Sequence, residues 1–141
     1  MTNRESGWDV FSKYEKGEVA PFKDINYLAS GRIELGVLEV IKKEGPVHHD
    51  VIYRRFSEAK RKGQPDRSVR LSTTDKRVVD AAIYRLRAQF IRTGEFFSFP
   101  NQIVTTPRNA GDRSVNEISP EELELGIITV LKKCCGVSRE D

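Results

Sequence analysis

The sequence predicts a mostly α-helical chain with one small β-hairpin, which is an α+β fold class. Two segments with helical periodicity are separated by Gly45-Pro46, a third such segment is rich in Lys and Arg, and a short aromatic stretch follows it. Helix, helix, basic helix and hairpin is the chain order of a winged-helix domain, a variant of the helix-turn-helix. A further helix is predicted near the C-terminus. This order favours a binding module over an enzyme.

The first two helices are predicted from periodicity and from their flanking residues. The first runs from about Ser30 to Glu44, with Ser30 as its cap and apolar residues along one face. Gly45-Pro46 ends it, because glycine suits a left-handed position after a helix and proline cannot continue one. The second runs from about His49 to Arg61, and His48 is expected to cap it.

The third helix is predicted over 73–91. Ser72 and Asp75 have the spacing of a capping box, so the helix begins just after Ser72. Its apolar residues recur at helical spacing and form an inward face. At 100° per residue, the opposite face is cationic with one aromatic residue: it holds Lys76, Arg77, Asp80, Tyr84 and Arg87.

Aromatic and β-rich segments after Gly94 predict the hairpin, with strands over 95–99 and 102–105. No Lys or Arg lies between Gly94 and Pro107, whereas a wing that grips DNA usually supplies positive charge. Ser119 and Pro120 then mark the start of the C-terminal helix. The expected organisation is an N-terminal arm over 1–24, a winged-helix-like domain over 25–107, and a connecting loop and C-terminal helix over 108–141 that pack on the domain.

Charge is distributed unevenly along the chain. The formal net charge is only +3, but residues 51–95 hold twelve basic and five acidic side chains, which is twelve minus five, or +7. Residues 117–141 hold six acidic and three basic side chains, or −3. A basic middle indicates a face that meets an anion, with a solvated helix surface as the plainer interpretation.

The motifs of catalysis and of metal binding are missing from the sequence. There is no phosphate-binding Gly-x-x-x-x-Gly-Lys-Ser/Thr loop and no nucleophile placed beside a base, so no catalytic residue, metal or cofactor is predicted. His48 and His49 have only Asp50 nearby, and capping or packing is their expected role. Cys134 falls on an apolar helix face and is expected to be a small core residue. No run of about 18 apolar residues occurs, so a cytoplasmic protein is expected without a membrane partner.

Two binding surfaces are candidates. The first is a DNA surface on the third helix and on the basic run that ends the second, and its residues are Lys76, Arg77, Tyr84, Arg87, Lys60, Arg61 and Lys62. The second is a protein-interaction or dimerisation surface formed by the C-terminal helix and the hairpin residues Phe96, Phe97 and Phe99. The basic run could equally serve structural ion pairs.

The order of short motifs also resembles a known domain. Glu44-Gly-Pro-Val-His48, Arg55-Phe56, Phe96-Phe97, Ile118–Glu122 and Gly136–Arg139 are similar to a bacterial domain of unknown function near the C-terminus of large superfamily-one helicase-like proteins, some of which carry nuclease domains. The resemblance spans roughly residues 25–141. It implies a winged-helix-like fold, a helicase-like host whose neighbouring domains are partners, and no established catalytic residues. His49 stands where that domain has an acidic residue.

Overall fold

The structure is a computed structural model that describes residues 11–64 and 70–135. The chain divides into two compact units. The central unit is Glu15–Gln102, and the terminal unit brings the N-terminal residues up to Tyr14 together with the chain from Ile103 onward. These bounds differ from the expected domains of 1–24, 25–107 and 108–141. The expected start of a further helix at Ser138 lies outside the described residues.

The described residues of the central unit form three α-helices and three short strands. The helices are α1 (Ser30–Glu44), α2 (His49–Gly63) and α3 (Thr73–Arg85). The strands are β1 (Val47–His48), β2 (Ile91–Thr93) and β3 (Phe96–Ser98). The sheet is antiparallel with the order β1-β3-β2, and Phe97 of the middle strand pairs with Val47 on one side and Arg92 on the other. The predicted α+β class, mostly helical with a small sheet, is confirmed.

An apolar core holds the central unit together. Val37, Val40 and Ile41 of α1 are fully buried and lie at helical spacing, as the sequence predicts. The core also includes Val19 and Phe22, which the sequence assigned to an N-terminal arm. Its remaining members come from the helices, the sheet and the turn between α3 and β2, and they include Val51, Ile52, Phe56, Ala59, Val79, Ala82, Ile83, Leu86, Phe90 and Phe97.

One ion pair lies inside this core. The Arg55 guanidinium donates to both carboxylate oxygens of Glu44, with Nε–Oε2 at 2.6 Å and Nη2–Oε1 at 2.8 Å. The backbone N–H of Gly17 donates to the same carboxylate at 2.8 Å. Two parallel N–H···O bonds and a backbone donor satisfy a charge pair that would otherwise be costly to bury.

Several local expectations were wrong. Ala29 rather than Ser30 is the N-cap of α1, without a side-chain hydrogen bond, and Gly45 has φ −64° rather than a left-handed conformation. Helix α3 ends at Arg85, not near Ile91. The segment 102–105 contains no strand, and the hairpin turns instead at Gly94, whose φ of +62° favours glycine.

The terminal unit contains α4 (Pro120–Cys135) and an irregular segment before it. Ser119 caps the helix by accepting the Glu122 N–H at 3.3 Å, as predicted. Ser12 donates its N–H to the Pro107 carbonyl and joins the N-terminal segment to this unit. Cys134 is exposed, so its expected place in the core was wrong.

An ion cluster fills the interior of the terminal unit. Glu122 is 2 % exposed and accepts hydrogen bonds from two arginines: Arg108 Nη2 lies 2.8 Å and Arg113 Nη1 3.0 Å from its Oε1. The Tyr14 ring lies 4.1 Å from the Arg113 guanidinium carbon and 5.2 Å from that of Arg108. A Cβ at Gly111 would lie 2.5 Å from that ring, so only glycine allows this close approach.

None of the helices within the described residues has the length and apolar character needed to cross a membrane.

Candidate nucleic-acid interface

The position of α3 follows from its cap and its buried face. Ser72 accepts the Asp75 N–H at 3.0 Å, and the Asp75 carboxylate accepts the Ser72 N–H at 3.1 Å, which completes the predicted capping box. Val79 and Ile83 lie in the core, four residues apart on one side of the helix. The opposite side of α3 is therefore turned to solvent.

That solvent-facing side carries the predicted cations. Lys76 and Arg77 are exposed in the first half of α3, and Tyr84 is 64 % exposed near its end. Arg87 is also exposed but lies just beyond the helix, where its Nη1 donates to the Tyr84 carbonyl at 2.8 Å. Its guanidinium carbon lies 3.9 Å from the centre of the Tyr84 ring, so the two side chains stack. We call Lys76, Arg77, Tyr84 and Arg87 the α3 face.

Asp80 lies within the α3 face, where a free carboxylate would repel a phosphate. Its Oδ1 accepts a hydrogen bond from the Tyr53 hydroxyl at 2.6 Å and lies 3.0 Å from His49 Nε2. Burial, and next the hydrogen bond to Asp80, raise the pKa of Tyr53 well above its usual value, so this phenol stays protonated and donating. The Asp80 carboxylate is thus bound by two side chains of α2, and this contact weakens its electrostatic repulsion of a phosphate.

The cations of the α3 face keep their charge available. Within residues 11–64 and 70–135, no carboxylate forms an ion pair with Lys76, Arg77 or Arg87. Lys76 instead sits with its Nζ 5.3 Å from the centre of the Tyr53 ring. Arg85, by contrast, forms an ion pair with a residue of α1, because its Nε donates to the Glu34 carboxylate at 2.6 Å.

The basic run at the end of α2 divides into two parts. Lys60 is a structural residue: its Nζ lies 2.6 Å from Asp75 Oδ2 and 3.2 Å from the Arg70 carbonyl. Burial alone would raise the pKa of Asp75, but the hydrogen bonds from Lys60 and Ser72 outweigh it and hold that pKa below its usual value. Arg61 and Lys62 are exposed.

The hairpin supplies a cation that the sequence missed. The actual strands place Arg92 in β2, exposed, with its Nε donating to the Gly94 carbonyl at 2.9 Å. The expectation of a hairpin without Lys or Arg was wrong because it placed the strands after Gly94. At the turn, Glu95 Oε1 lies 3.4 Å from His48 Nε2, and His48 Nδ1 caps α2 by accepting the Asp50 N–H, as predicted.

The three hairpin phenylalanines contribute little apolar surface. Phe97 is 1 % exposed and packs its ring edge against Phe90, with ring centres 5.3 Å apart. Phe96 and Phe99 are half-buried. The structure thus places Phe97, one of the predicted contact residues, inside the core.

Across the two described stretches, no group of three or more His, Cys, Asp or Glu side chains is arranged to hold a metal ion. Comparison of the chain with protein-family models, with curated proteins and with solved structures gives no match. Function is therefore inferred from the geometry of this chain.

Proposed function

We propose that this chain is a non-catalytic accessory domain that binds DNA weakly, without sequence preference, through the α3 face. The host would be a helicase-like or nuclease-like protein, as the sequence resemblance implies. The observation that carries the proposal is a set of three exposed cations, Lys76, Arg77 and Arg87, with a stacked tyrosine among them and no carboxylate partner within the described chain. Lys and Arg contacts to phosphates supply most of the non-specific affinity for DNA.

The element order supports a winged-helix-like interpretation. The element order α1-β1-α2-α3-β2-β3, with β3 between β1 and β2, is the order expected of a winged-helix domain, in which the third helix would be the recognition helix and the β2-β3 hairpin the wing. In such a domain α3 enters the major groove, and the wing contacts the adjacent backbone. Arg92 on the hairpin is placed to add a phosphate contact.

The number of cations that contact phosphates determines the expected affinity for DNA and its salt dependence. With about four phosphate contacts, from Lys76, Arg77, Arg87 and Arg92, the logarithm of the binding constant should fall with the logarithm of salt at a slope of about −3.6. Such binding is weak at physiological salt. It suits a domain tethered to a larger machine, where effective concentration compensates for low affinity.

The test is the salt dependence of binding to a duplex, measured by fluorescence anisotropy. The variant replaces Lys76, Arg77 and Arg87 by Gln. Removal of three contacts should bring the slope from about −3.6 to about −0.9 and weaken binding at least about tenfold at low salt.

The matched control replaces three other exposed cations of the central unit, Lys23, Arg32 and Lys42, by Gln. Both triple variants remove three positive charges, which takes the formal net charge from +3 to 0. The control should keep the wild-type slope. Equal slopes in the two variants would show that net charge alone drives binding, and the α3 face would lose its assigned role.

A protein-interaction module is the second candidate, favoured by the exposed apolar side chains of α4. Ile127 is 61 % and Leu131 49 % exposed, although both are large and apolar. The hairpin contributes less to this candidate, because Phe97 is a core residue. A contiguous apolar surface of this kind is typical of protein contacts.

A further inference from the structure

One side of α4 is committed to its own unit. Glu122 binds Arg108 and Arg113, and Gly126 faces Phe11 and Pro107, since a Cβ built at Gly126 would lie 3.8 Å from each. These contacts fix which way the helix is turned. Leu123, Leu125 and Val130 are partly buried, whereas Ile127, Ile128 and Leu131 are exposed.

The outward side is apolar in the middle of the helix. Ile127, Ile128 and Leu131 are 61 %, 41 % and 49 % exposed, and they lie within about 100° of one another around the axis. Leu123 and Val130 continue the surface as one wall of an apolar groove. We call Ile127, Ile128 and Leu131 the α4 stripe.

The charges at the two ends of α4 indicate what covers the stripe. Glu121 and Glu124 lie in the first turns and Lys132 and Lys133 in the last, and the side chains of Glu121, Glu124 and Lys132 are exposed. Lys132 is eleven positions after Glu121, which is close to three turns of 3.6 residues, so both lie along the same edge of the stripe. One edge of the stripe is therefore acidic at one end and basic at the other.

The charge pattern of α4 is complementary to that of a second α4 that runs in the opposite direction. If two copies of α4 pack antiparallel about a two-fold axis, the same edge of each helix meets, and the acidic start of one lies beside the basic end of the other. The apolar stripes then cover each other at the centre. In a parallel two-fold arrangement the charged edges would lie on opposite sides of the contact, so Glu121 of one helix would not meet Lys132 of the other.

We infer that the partner of the α4 stripe is a second copy of this chain, bound through an antiparallel α4–α4 contact. The inference names the partner for the protein-interaction candidate and is independent of DNA binding. A helix of 16 residues is about 24 Å long, and one face of it covers less than the ~800 Å² per partner that stable complexes bury. The dimer is therefore reversible, with a dissociation constant in the micromolar range or weaker.

The first experiment measures the mass of the full chain by sedimentation equilibrium at about 1 to 500 µM, a range chosen for a micromolar constant. Wild type should shift from monomer to dimer. Ile127→Glu combined with Leu131→Glu should remain monomeric over the whole range. The matched control, Ile103→Glu with Val115→Glu, changes two residues that are 78 % and 64 % exposed outside α4, and it should dimerise like wild type.

The second experiment tests orientation with substitutions confined to exposed charges. Glu121→Lys with Glu124→Lys makes both ends of α4 positive and should weaken an antiparallel dimer at least about tenfold, while a parallel dimer would change little. Adding Lys132→Glu, on the same edge as Glu121, restores opposite charges across the contact and should restore association. Circular dichroism of the monomer distinguishes a loss of association from a loss of helix. Charges that oppose the helix dipole would lower the helicity of the monomer as well.

A monomer at every concentration overturns the inference, as does a dimer that the Ile127 and Leu131 substitutions leave intact. Failure of the variant that combines Glu121→Lys, Glu124→Lys and Lys132→Glu to recover association overturns the antiparallel geometry. None of these outcomes affects the salt-dependence test of DNA binding, so the two proposals fail separately.

Discussion

The two units of this chain are stabilised in different ways. In the central unit the interior is a large apolar cluster into which one charge pair, Glu44–Arg55, is set. Among the described residues of the terminal unit, the buried positions outside Tyr14 and Pro107 are polar or charged, and the large apolar side chains Ile127, Ile128 and Leu131 of α4 are exposed. The described part of the terminal unit thus reverses the usual arrangement of an apolar interior and a polar surface.

This difference predicts how each unit responds to pH and to single substitutions. A charge pair inside an apolar core is one contribution among many, whereas Glu122 is the point at which Arg108, Arg113 and α4 meet. Apolar burial tolerates changes of pH and salt, but a carboxylate that holds two guanidinium groups does not. The terminal unit should therefore respond to acid and to single substitutions that leave the central unit intact.

The largest effect is expected for Glu122→Ala. The substitution leaves two arginines without their carboxylate, and breaking a buried ion pair by removing one partner costs about 3 kcal/mol or more. Hydrogen exchange with mass spectrometry should show lost protection over 107–135 and unchanged protection in α1 and α2.

Glu121→Ala is the matched control for that substitution, since Glu121 is the exposed neighbour of Glu122 on the same helix turn. It should leave protection in both units close to wild type. Equal loss in the two variants would mean that the first turn of α4 is merely sensitive to substitution. The ion cluster would then not be the centre of the terminal unit.

The second largest effect is expected at low pH, where the terminal unit should lose stability. Burial alone would raise the pKa of Glu122, but hydrogen bonds from Arg108 and Arg113 outweigh it and lower the pKa from 4.5 to about 2. A carboxyl with a depressed folded-state pKa stabilises fully above its unfolded value, and this contribution is lost as the pH falls from about 4.5 towards 2. We expect a loss of about 2 kcal/mol, less than the full shift implies, because Arg108 is 14 % exposed and the cluster is partly screened.

The measurement compares wild type with Glu122→Gln, followed by hydrogen exchange over 107–135 between pH 6 and 2. The difference in protection should be largest near pH 6 and should shrink towards pH 2, where about half of the Glu122 carboxyl groups are protonated in the folded state. A difference that stays constant with pH would contradict the assignment of the acid sensitivity to Glu122.

The sequence predicted what depends on local signals. The bounds of α1, the His48 cap of α2 and the capping box of α3 all follow from short-range patterns and are confirmed. Helical periodicity likewise places Lys76, Arg77 and Tyr84 on the exposed side of α3, where the structure has them. These features need no knowledge of distant residues.

Features that depend on tertiary contacts were missed. Strands of three residues carry too little periodicity to fix their position, so Arg92 was left out of the hairpin. Lys60 forms an ion pair with Asp75, which lies fifteen positions further along the chain, beyond the loop between α2 and α3. Glu122 has the spacing of a capping-box residue, and its partnership with Arg108 and Arg113 depends on an irregular segment without a sequence signature.

The smallest effect is expected for Ser72→Ala in the central unit, which removes a polar contact of the kind that dominates the terminal unit. The Asp75 N–H loses its acceptor, and loss of an N-cap costs about 1 kcal/mol. Because Val79, Ala82 and Ile83 still anchor α3 in the core, the helix should remain formed with a lower unfolding midpoint in urea. Thr74→Ala, at an exposed position in the same turn without a capping role, is the control and should stay within about 0.5 kcal/mol of wild type. A loss for Ser72→Ala as large as that for Glu122→Ala would show that polar contacts govern both units alike, and the contrast between them would no longer hold.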